Sequence, residues 1–316
     1  MVKIHTAGRG PVRFLRRGCS AAKRWIDEAA APRTLVRTTG IVCGCVMLAA
    51  CREGVVDPQG PVGEAERVIL GDATAIMLAV VIPVIILALL FAWWFRSGNR
   101  RATYRPEWEY SGRIELIIWA IPALVVLFLG GIAWIGAHDL DPRKPLESAT
   151  PPLEVEVVSL DWRWLFIYPR EHIATVNYLV VPTGVPIHFQ LTSTSVMNSF
   201  FIPQLGSQIY TMPGMTTQLN LQANKPGTYT GISAQFSGPG FSDMRFTLRA
   251  ESGEGFAGWV AEMHAGSGVL DEPTLTQLVR PTRAGGELSF GAVPEDPFDM
   301  VVHGHLATRW SPNEAL

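Results

Sequence analysis

Two uncharged apolar runs constrain this chain more than any other feature of it. Ala73 to Phe95 is 23 residues without a charge, and Leu116 to Ala137 is 22 more. As helices rising about 1.5 Å per residue they reach roughly 33 to 35 Å, enough to cross a hydrocarbon core of about 30 Å. Trp93, Trp94 and Trp134 lie toward their ends, where tryptophan suits the membrane boundary. Pro83 and Pro122 do not argue against spans, because neighbouring helices can satisfy the freed carbonyls. One such run alone could be the core helix of a soluble protein. Two of them, in a chain that is 48% hydrophobic and only 17% charged against about 25% in ordinary proteins, point to a transmembrane hairpin over 72–137. The same composition excludes a disordered chain and a nucleic-acid binder with a basic face.

The charges give the hairpin a direction. The connection 96–115 carries Arg96, Arg100, Arg101, Arg105 and Arg113, which by the positive-inside rule puts it in the cytoplasm and both outer ends of the hairpin outside. Residues 138–316 hold 10 basic and 18 acidic residues, consistent with an exported acidic part. Residues 1–50 carry nine basic residues against Asp27 and Glu28, a net of +7, and the overall balance of −2 leaves −9 for the rest. That basic stretch leads into Gly40 to Ala50, an apolar segment too short to span, which reads as a secretory signal. Leu48-Ala49-Ala50-Cys51 matches the bacterial lipoprotein signal, so 1–50 is expected to be removed and Cys51 to carry lipid. An uncleaved anchor with a buried thiol is the alternative. A leader of 50 residues exceeds the usual 15 to 30, which places the expected translation start near Leu35 or Val36. On this reading 51–71 is an exported segment ahead of the hairpin.

From 138 to 250 the helical period gives way to short strand-like runs. Leu153 to Val157 alternates apolar and acidic, and Val185 to Leu191, Gln218 to Leu221 and Arg245 to Arg249 read as further strands. Breaks fall at Pro182-Thr183-Gly184, Met212-Pro213-Gly214, Lys225-Pro226-Gly227 and Gly238-Pro239-Gly240. Seven or so strands in about 100 residues predict an all-β sandwich or barrel. In the extension 251–316, Glu254 to His264 and Glu272 to Val279 are expected to be short helices, followed by a tail without strong period. The fold class is thus a membrane-anchored α+β chain: a two-helix hairpin, an all-β domain and a short helical C-terminal extension.

The cysteines lie at 19, 43, 45 and 51, so the exported part has no disulfide, zinc knuckle, cysteine nucleophile or thiolate-bound copper. No phosphate loop or nucleophile elbow stands out. His303-Gly304-His305 lacks a third ligand nearby and reads as a solvated tail.

Two spans followed by an exported sandwich, with Asp161-Trp162-Arg163-Trp164-Leu165-Phe166-Ile167-Tyr168-Pro169, Ser195 to Pro203, Tyr210 to Gly214, Lys225 to Tyr229 and Gly231 to Gly238, resembles subunit II of the haem–copper oxidases. The likeness is to the copper-less, quinol-oxidising branch and covers roughly 55–250. It implies a cupredoxin-like Greek-key sandwich. Copper-bearing members hold a binuclear centre with histidines, cysteines, a glutamate carbonyl and a methionine. The corresponding positions here are Asn198, Ser233, Gln235, Ser237, Phe241 and Met244. Only the methionine remains, and hydroxyls, an amide and a thioether do not suit a copper pair. No metal or cofactor is therefore expected in this chain.

The resemblance further implies haem and copper in a partner subunit I, small membrane subunits as additional partners, quinol as substrate of the complex, and no role for cytochrome c or nucleic acid. The chain itself is expected to hold no catalytic centre. Glu115, at the cytoplasmic mouth of the second span, matches an acid that lies at a proton-input entrance in similar oxidases; the plainer reading is an interfacial acid paired with Arg113 or Arg105. Trp162, Trp164, Phe166 and Tyr168 alternate as on one strand face and are expected to pack in the sandwich or against subunit I. Two competing readings are a cytochrome c oxidase subunit II, against which the missing thiolates argue, and a lipoprotein that only binds an extracellular partner.

Overall fold

A computed structural model of the chain describes residues 54–103, 106–107, 109–282, 286–293 and 296–303. The expected signal, Cys51, Arg105, His305 and the last residues of the tail lie outside them.

Helix α1 (Pro61–Trp94) has 34 residues, about 51 Å at the α-helical rise. It starts twelve residues before the apolar run, because Pro61 suits the first helical position and nothing in Glu64 to Asp72 breaks the period. Those first turns dock on the β domain. The Gly63 N–H donates to the Leu205 carbonyl at 3.0 Å, Gln59 N–H to the Gln204 carbonyl at 2.7 Å, and Asn224 N–H to the Gln59 carbonyl at 2.8 Å. A Cβ on Gly60 would overlap the Gln222 carbonyl, so only glycine permits this approach. Glu66 accepts a hydrogen bond from the Ser207 hydroxyl.

Helix α2 (Gly112–Asp139) has 28 residues. Along both helices the large apolar side chains, among them Ile85, Leu89, Leu127 and Trp134, are exposed, and no part of either apolar stretch is buried inside the protein. A core helix of a soluble domain would bury one face; these present apolar surface all round, as lipid-facing helices do. The Arg96 guanidinium sits 5.4 Å over the Trp93 ring at the charged end of α1.

Ten strands build the β domain: β1 (Leu153–Leu160), β2 (Arg163–Tyr168), β3 (Ile173–Val176), β4 (Tyr178–Pro182), β5 (Pro186–Ser193), β6 (Asn198–Phe201), β7 (Ile209–Thr211), β8 (Thr217–Gln222), β9 (Gly227–Ser233) and β10 (Arg245–Glu251). The count exceeds the expected seven or so because β3, β4, β6 and β7 are only three to five residues long, too short for a period to register. Gly184 and Gly214 take φ of 73° and 68° at two of the expected breaks, a conformation glycine adopts without cost.

One sheet runs β3-β2-β1-β5-β8 and the other β4-β10-β9-β6-β7. β1 pairs in parallel with β5, and β10 with β4, the crossovers of a Greek-key sandwich. Between the sheets lie Trp164, Phe166, Phe189, Phe200 and Phe246, with Phe200 stacked on Phe246 at 5.0 Å and 10°. Trp162, Trp164, Phe166 and Tyr168 all face this core. The Tyr168 hydroxyl, fully buried, donates to the Val180 carbonyl and accepts from the Val180 N–H, both at 2.9 Å.

The extension is part of the same fold. After α3 (Gly253–Gly266), β11 (Gly268–Val269) and β12 (Leu288–Ala292) lengthen the first sheet beyond β3, while α4 (Glu272–Leu278) and α5 (Pro297–Val302) cover its outer face. Val158, Leu160, Leu165 and Ile167 pack there against Leu275, Leu278, Phe290, Phe298 and Val301. β2 is buried on both faces, and a strand apolar on both faces requires a layer on each side. Each of these side chains, removed from water, contributes roughly 2 kcal/mol.

Candidate functional site

Most of the positions that the resemblance matches to copper ligands meet at one end of the five-stranded sheet. β6 and β9 are neighbours with Phe200 opposite Ser233, which brings the start of β6 beside the end of β9. Asn198 and Ser233 are 1% and 5% exposed. The Ser233 hydroxyl donates to Asn198 Oδ1 at 3.3 Å and to the Gln235 carbonyl at 3.3 Å. Asn198 Nδ2 in turn donates to Ser159 Oγ and the Val196 carbonyl, each at 3.3 Å. Ser159 and Thr211 share a hydrogen bond of 2.9 Å.

The loop after β9 closes the site. Met244, 1% exposed, takes a weak hydrogen bond of 3.9 Å at Sδ from the Ser237 hydroxyl, and its carbonyl accepts from the Ser233 N–H at 3.1 Å. Trp162, from the β1–β2 turn at a φ of 67°, donates from its indole Nε1 to the Ser237 carbonyl at 3.1 Å. Gly240 lies against that ring so closely that a Cβ would overlap it. Asn198, Ser233, the Gln235 carbonyl, Ser237 and Met244 are thus assembled. Phe241 stands apart from these hydrogen bonds, its ring edge-on to that of Phe236 at 5.7 Å, and Phe236 is 71% exposed.

Ser159 and Thr211 complete the network; the sequence did not mark Ser159, and it showed Thr211 only inside the segment Tyr210 to Gly214. They are 52 residues apart on strands of different sheets, a meeting that no local pattern announces. Asp161 was visible only inside the aromatic stretch. It is buried, accepts from the Ser195 hydroxyl at Oδ1 and leaves Oδ2 without a partner. Burial pushes its carboxyl above the usual aspartate range, against the opposing pull of Ser195.

The donor set of this site is hydroxyl, amide, carbonyl and one thioether. A copper pair is held by soft thiolates and imidazoles, and every hydroxyl and amide donor named here is already engaged with another. The residues present do not fit a binuclear copper centre. Among the described residues no group of three or more His, Cys, Asp or Glu side chains is placed to hold a metal.

The family model described as cytochrome c oxidase subunit II, periplasmic domain, matches residues 160–250. The chain is 47% identical over 265 residues to cytochrome bo(3) ubiquinol oxidase subunit 2 of Pseudomonas aeruginosa, covering 84% of this chain and 78% of that one. It is 49% identical over 269 residues to ubiquinol oxidase subunit 2 of Acetobacter aceti, covering 84% and 87%. The chain belongs to the ubiquinol oxidase subunit 2 family. A further relative, quinol oxidase subunit 2 of Bacillus cereus, is 38% identical over 232 residues, covering 73% of this chain and 80% of that one. As a ubiquinol oxidase subunit 2 relative, the chain is one component of an oxidoreductase complex. Its two apolar helices and the matched periplasmic domain make it a membrane-anchored protein with its C-terminal domain on the periplasmic side.

Glu115 lies far from this site. It is exposed in the first turn of α2, where its backbone N–H donates to the Ser111 carbonyl at 3.0 Å and a negative charge suits the helix N-terminus. Among the described residues no ion pair joins it to Arg113. Asp139, where α2 enters the periplasmic side, is about 36 Å along the helix from it. His303 caps its own helix, with Nδ1 at 3.0 Å from the Asp299 carbonyl.

Proposed function

We propose that the chain is the non-metal subunit II of a terminal quinol oxidase of the bacterial inner membrane, in which quinol is oxidised and oxygen reduced with proton translocation. The haems and copper reside in subunit I. Subunit II covers the periplasmic face of subunit I and carries no electrons itself, and small membrane subunits complete the assembly. The observation that carries this reading is the closed Ser233–Asn198–Ser159–Thr211 network in place of a thiolate and imidazole cage. A neutral network has no redox state between those of a donor and a haem, so the domain offers cytochrome c no path inward.

Two finer assignments belong to the same reading. Cys51 is the acylated N-terminus after removal of 1–50, which holds the mature chain at the outer surface. Glu115 collects protons at the cytoplasmic mouth for subunit I, since intramembrane and mouth carboxylates commonly serve proton paths. Metal analysis of the native complex tests the main proposal. Copper limited to the content of subunit I supports it, and a second pair of copper ions in the exported domain overturns it. Intact mass tests the anchor, since a purified chain that retains residues before Cys51 contradicts it.

A further inference from the structure

The far end of the hairpin carries a concentration of positive charge that the exported domain does not use. α2 leads into the periplasmic domain, so its other end, and the end of α1 joined to it, lie on the cytoplasmic side of the membrane. The uncharged run of α1 stops at Phe95, and Arg96, Arg100 and Arg101 follow within six residues. All three are exposed. Among the described residues no carboxylate lies within ion-pair distance of any of them.

The turn that presents them is held by its own hydrogen bonds. Asn99 Nδ2 donates to the Trp94 carbonyl at 2.6 Å, the Asn99 N–H donates to the Arg96 carbonyl at 2.9 Å, and Asn99 Oδ1 accepts from the Arg101 N–H at 3.1 Å. One side chain thus closes the end of α1 and fixes the segment that carries Arg100 and Arg101. The Arg96 guanidinium lies back over the Trp93 ring at 5.4 Å, and Trp93 and Trp94 are 57% and 44% exposed. Indole rings at the end of a span sit at the level of the lipid headgroups, so the membrane boundary passes through this turn. Basic residues also set the direction of a hairpin, and a positive charge suits the end of a helix dipole. Neither role requires residues 99–101 to be held in one conformation.

We propose that this turn binds the headgroup phosphate of an anionic phospholipid in the inner leaflet, with Arg100 and Arg101 as its ligands. A guanidinium matches phosphate oxygens through paired N–H bonds, and both of these forks are free of carboxylates. Basic residues immediately cytoplasmic of a transmembrane helix are also drawn to the negative inner surface. The occupant is a lipid and not a free phosphate, because the arginines begin at the first residue beyond the apolar run, at the depth where lipid phosphates lie. The exposed indoles of Trp93 and Trp94 supply the amphipathic surface that the glycerol and upper acyl region of such a lipid need. The inference uses no residue of the exported domain, so it stands or falls independently of how electrons enter the complex.

The test is native mass spectrometry of the delipidated native complex, titrated with dioleoyl phosphatidylglycerol in one arm and dioleoyl phosphatidylcholine in the other. Wild type is expected to retain phosphatidylglycerol in preference to phosphatidylcholine at a saturable site. Arg100→Gln combined with Arg101→Gln should weaken that site about tenfold or more, since each basic group beside an anionic headgroup is worth about fivefold, and should leave phosphatidylcholine binding unchanged. Arg96, Arg105 and Arg113 remain in this variant to keep the direction of the hairpin. Asn99→Ala keeps every charge, frees the turn and is expected to weaken the site about threefold or more. It decides the matter by itself if the double variant does not assemble. No preference for phosphatidylglycerol in wild type, or binding unchanged by the arginine substitutions, overturns the proposal. Weakening by the arginine substitutions with none by Asn99→Ala assigns diffuse attraction to the surface and overturns the ordered site.

Discussion

The Ser233 hydroxyl donates to Asn198 Oδ1 across 3.3 Å, tying the end of β9 to the start of β6 with both residues buried. The bond spans 35 residues of sequence and joins two of the positions that the resemblance to copper-bearing subunits singled out. The junction is held by hydrogen bonds alone, and its stability should respond to substitutions as a polar network does.

Asn198→Ala removes one member and leaves Ser233 and Ser159 with a lost partner. Ser233 keeps the Gln235 carbonyl and Ser159 keeps Thr211, so the cost is that of the lost hydrogen bonds at about 0.5–1.5 kcal/mol each, and a loss of roughly 1 to 3 kcal/mol is expected in thermal or denaturant unfolding of the exported domain within the full chain. Addition of copper should not restore it.

Gly240→Ala drives a methyl group into the Trp162 ring. Overpacking of this kind costs about 1–3 kcal/mol, and the indole can escape only by breaking its bond to the Ser237 carbonyl. A shift of tryptophan fluorescence together with reduced stability is the expected result.

Asp161→Asn keeps an acceptor for the Ser195 hydroxyl and removes a buried carboxylate with one oxygen unpartnered. Because burial raises the folded pKa of Asp161, its penalty grows as pH rises above the unfolded value of about 3.9. The variant should be equal to or more stable than wild type at pH 7, and the difference should vanish in acid.

Glu156 gives the periplasmic domain a pH dependence of its own. Burial, and then the charges of Asp296, Asp299 and Glu154, push its carboxyl from 4.5 to about 7. The folded value lies above the unfolded one, so the stabilisation is full below about pH 4.5 and is lost as pH rises through about 7. Partial exposure screens the effect, leaving on the order of 1–2 kcal/mol. Asp296 and Asp299 belong to the α5 region, so the protection of α5 amides, taken relative to their intrinsic base-catalysed exchange rates, should fall between pH 5 and 8, and Glu156→Gln should abolish that fall.

The two spanning helices and five of the strands were legible in the sequence because their periods run long enough to repeat. The six copper-ligand positions were legible only through their order within the resemblance, and five of them do converge, whereas Phe241 turns to Phe236. What the sequence did not disclose depends on pairing at a distance. Ser159 and Thr211 meet from strands far apart in the chain, and β12 joins the sheet beside β3 although Leu288 to Ala292 carries too few residues to show alternation. The tail of the extension showed no strong period, yet β1 and β2 carry apolar side chains on their outer face, and the cluster that buries them includes Phe298 and Val301. Phe298→Ala should therefore cost about 3–5 kcal/mol if α5 stays docked, or release α5 to proteolysis if it does not.

The central claim is that electrons bypass this subunit's exported domain. Oxygen consumption by the purified native complex, measured in parallel with ubiquinol and with reduced cytochrome c, tests it most directly. Rapid turnover with quinol and none above background with cytochrome c is the result expected; sustained turnover with cytochrome c would contradict the account.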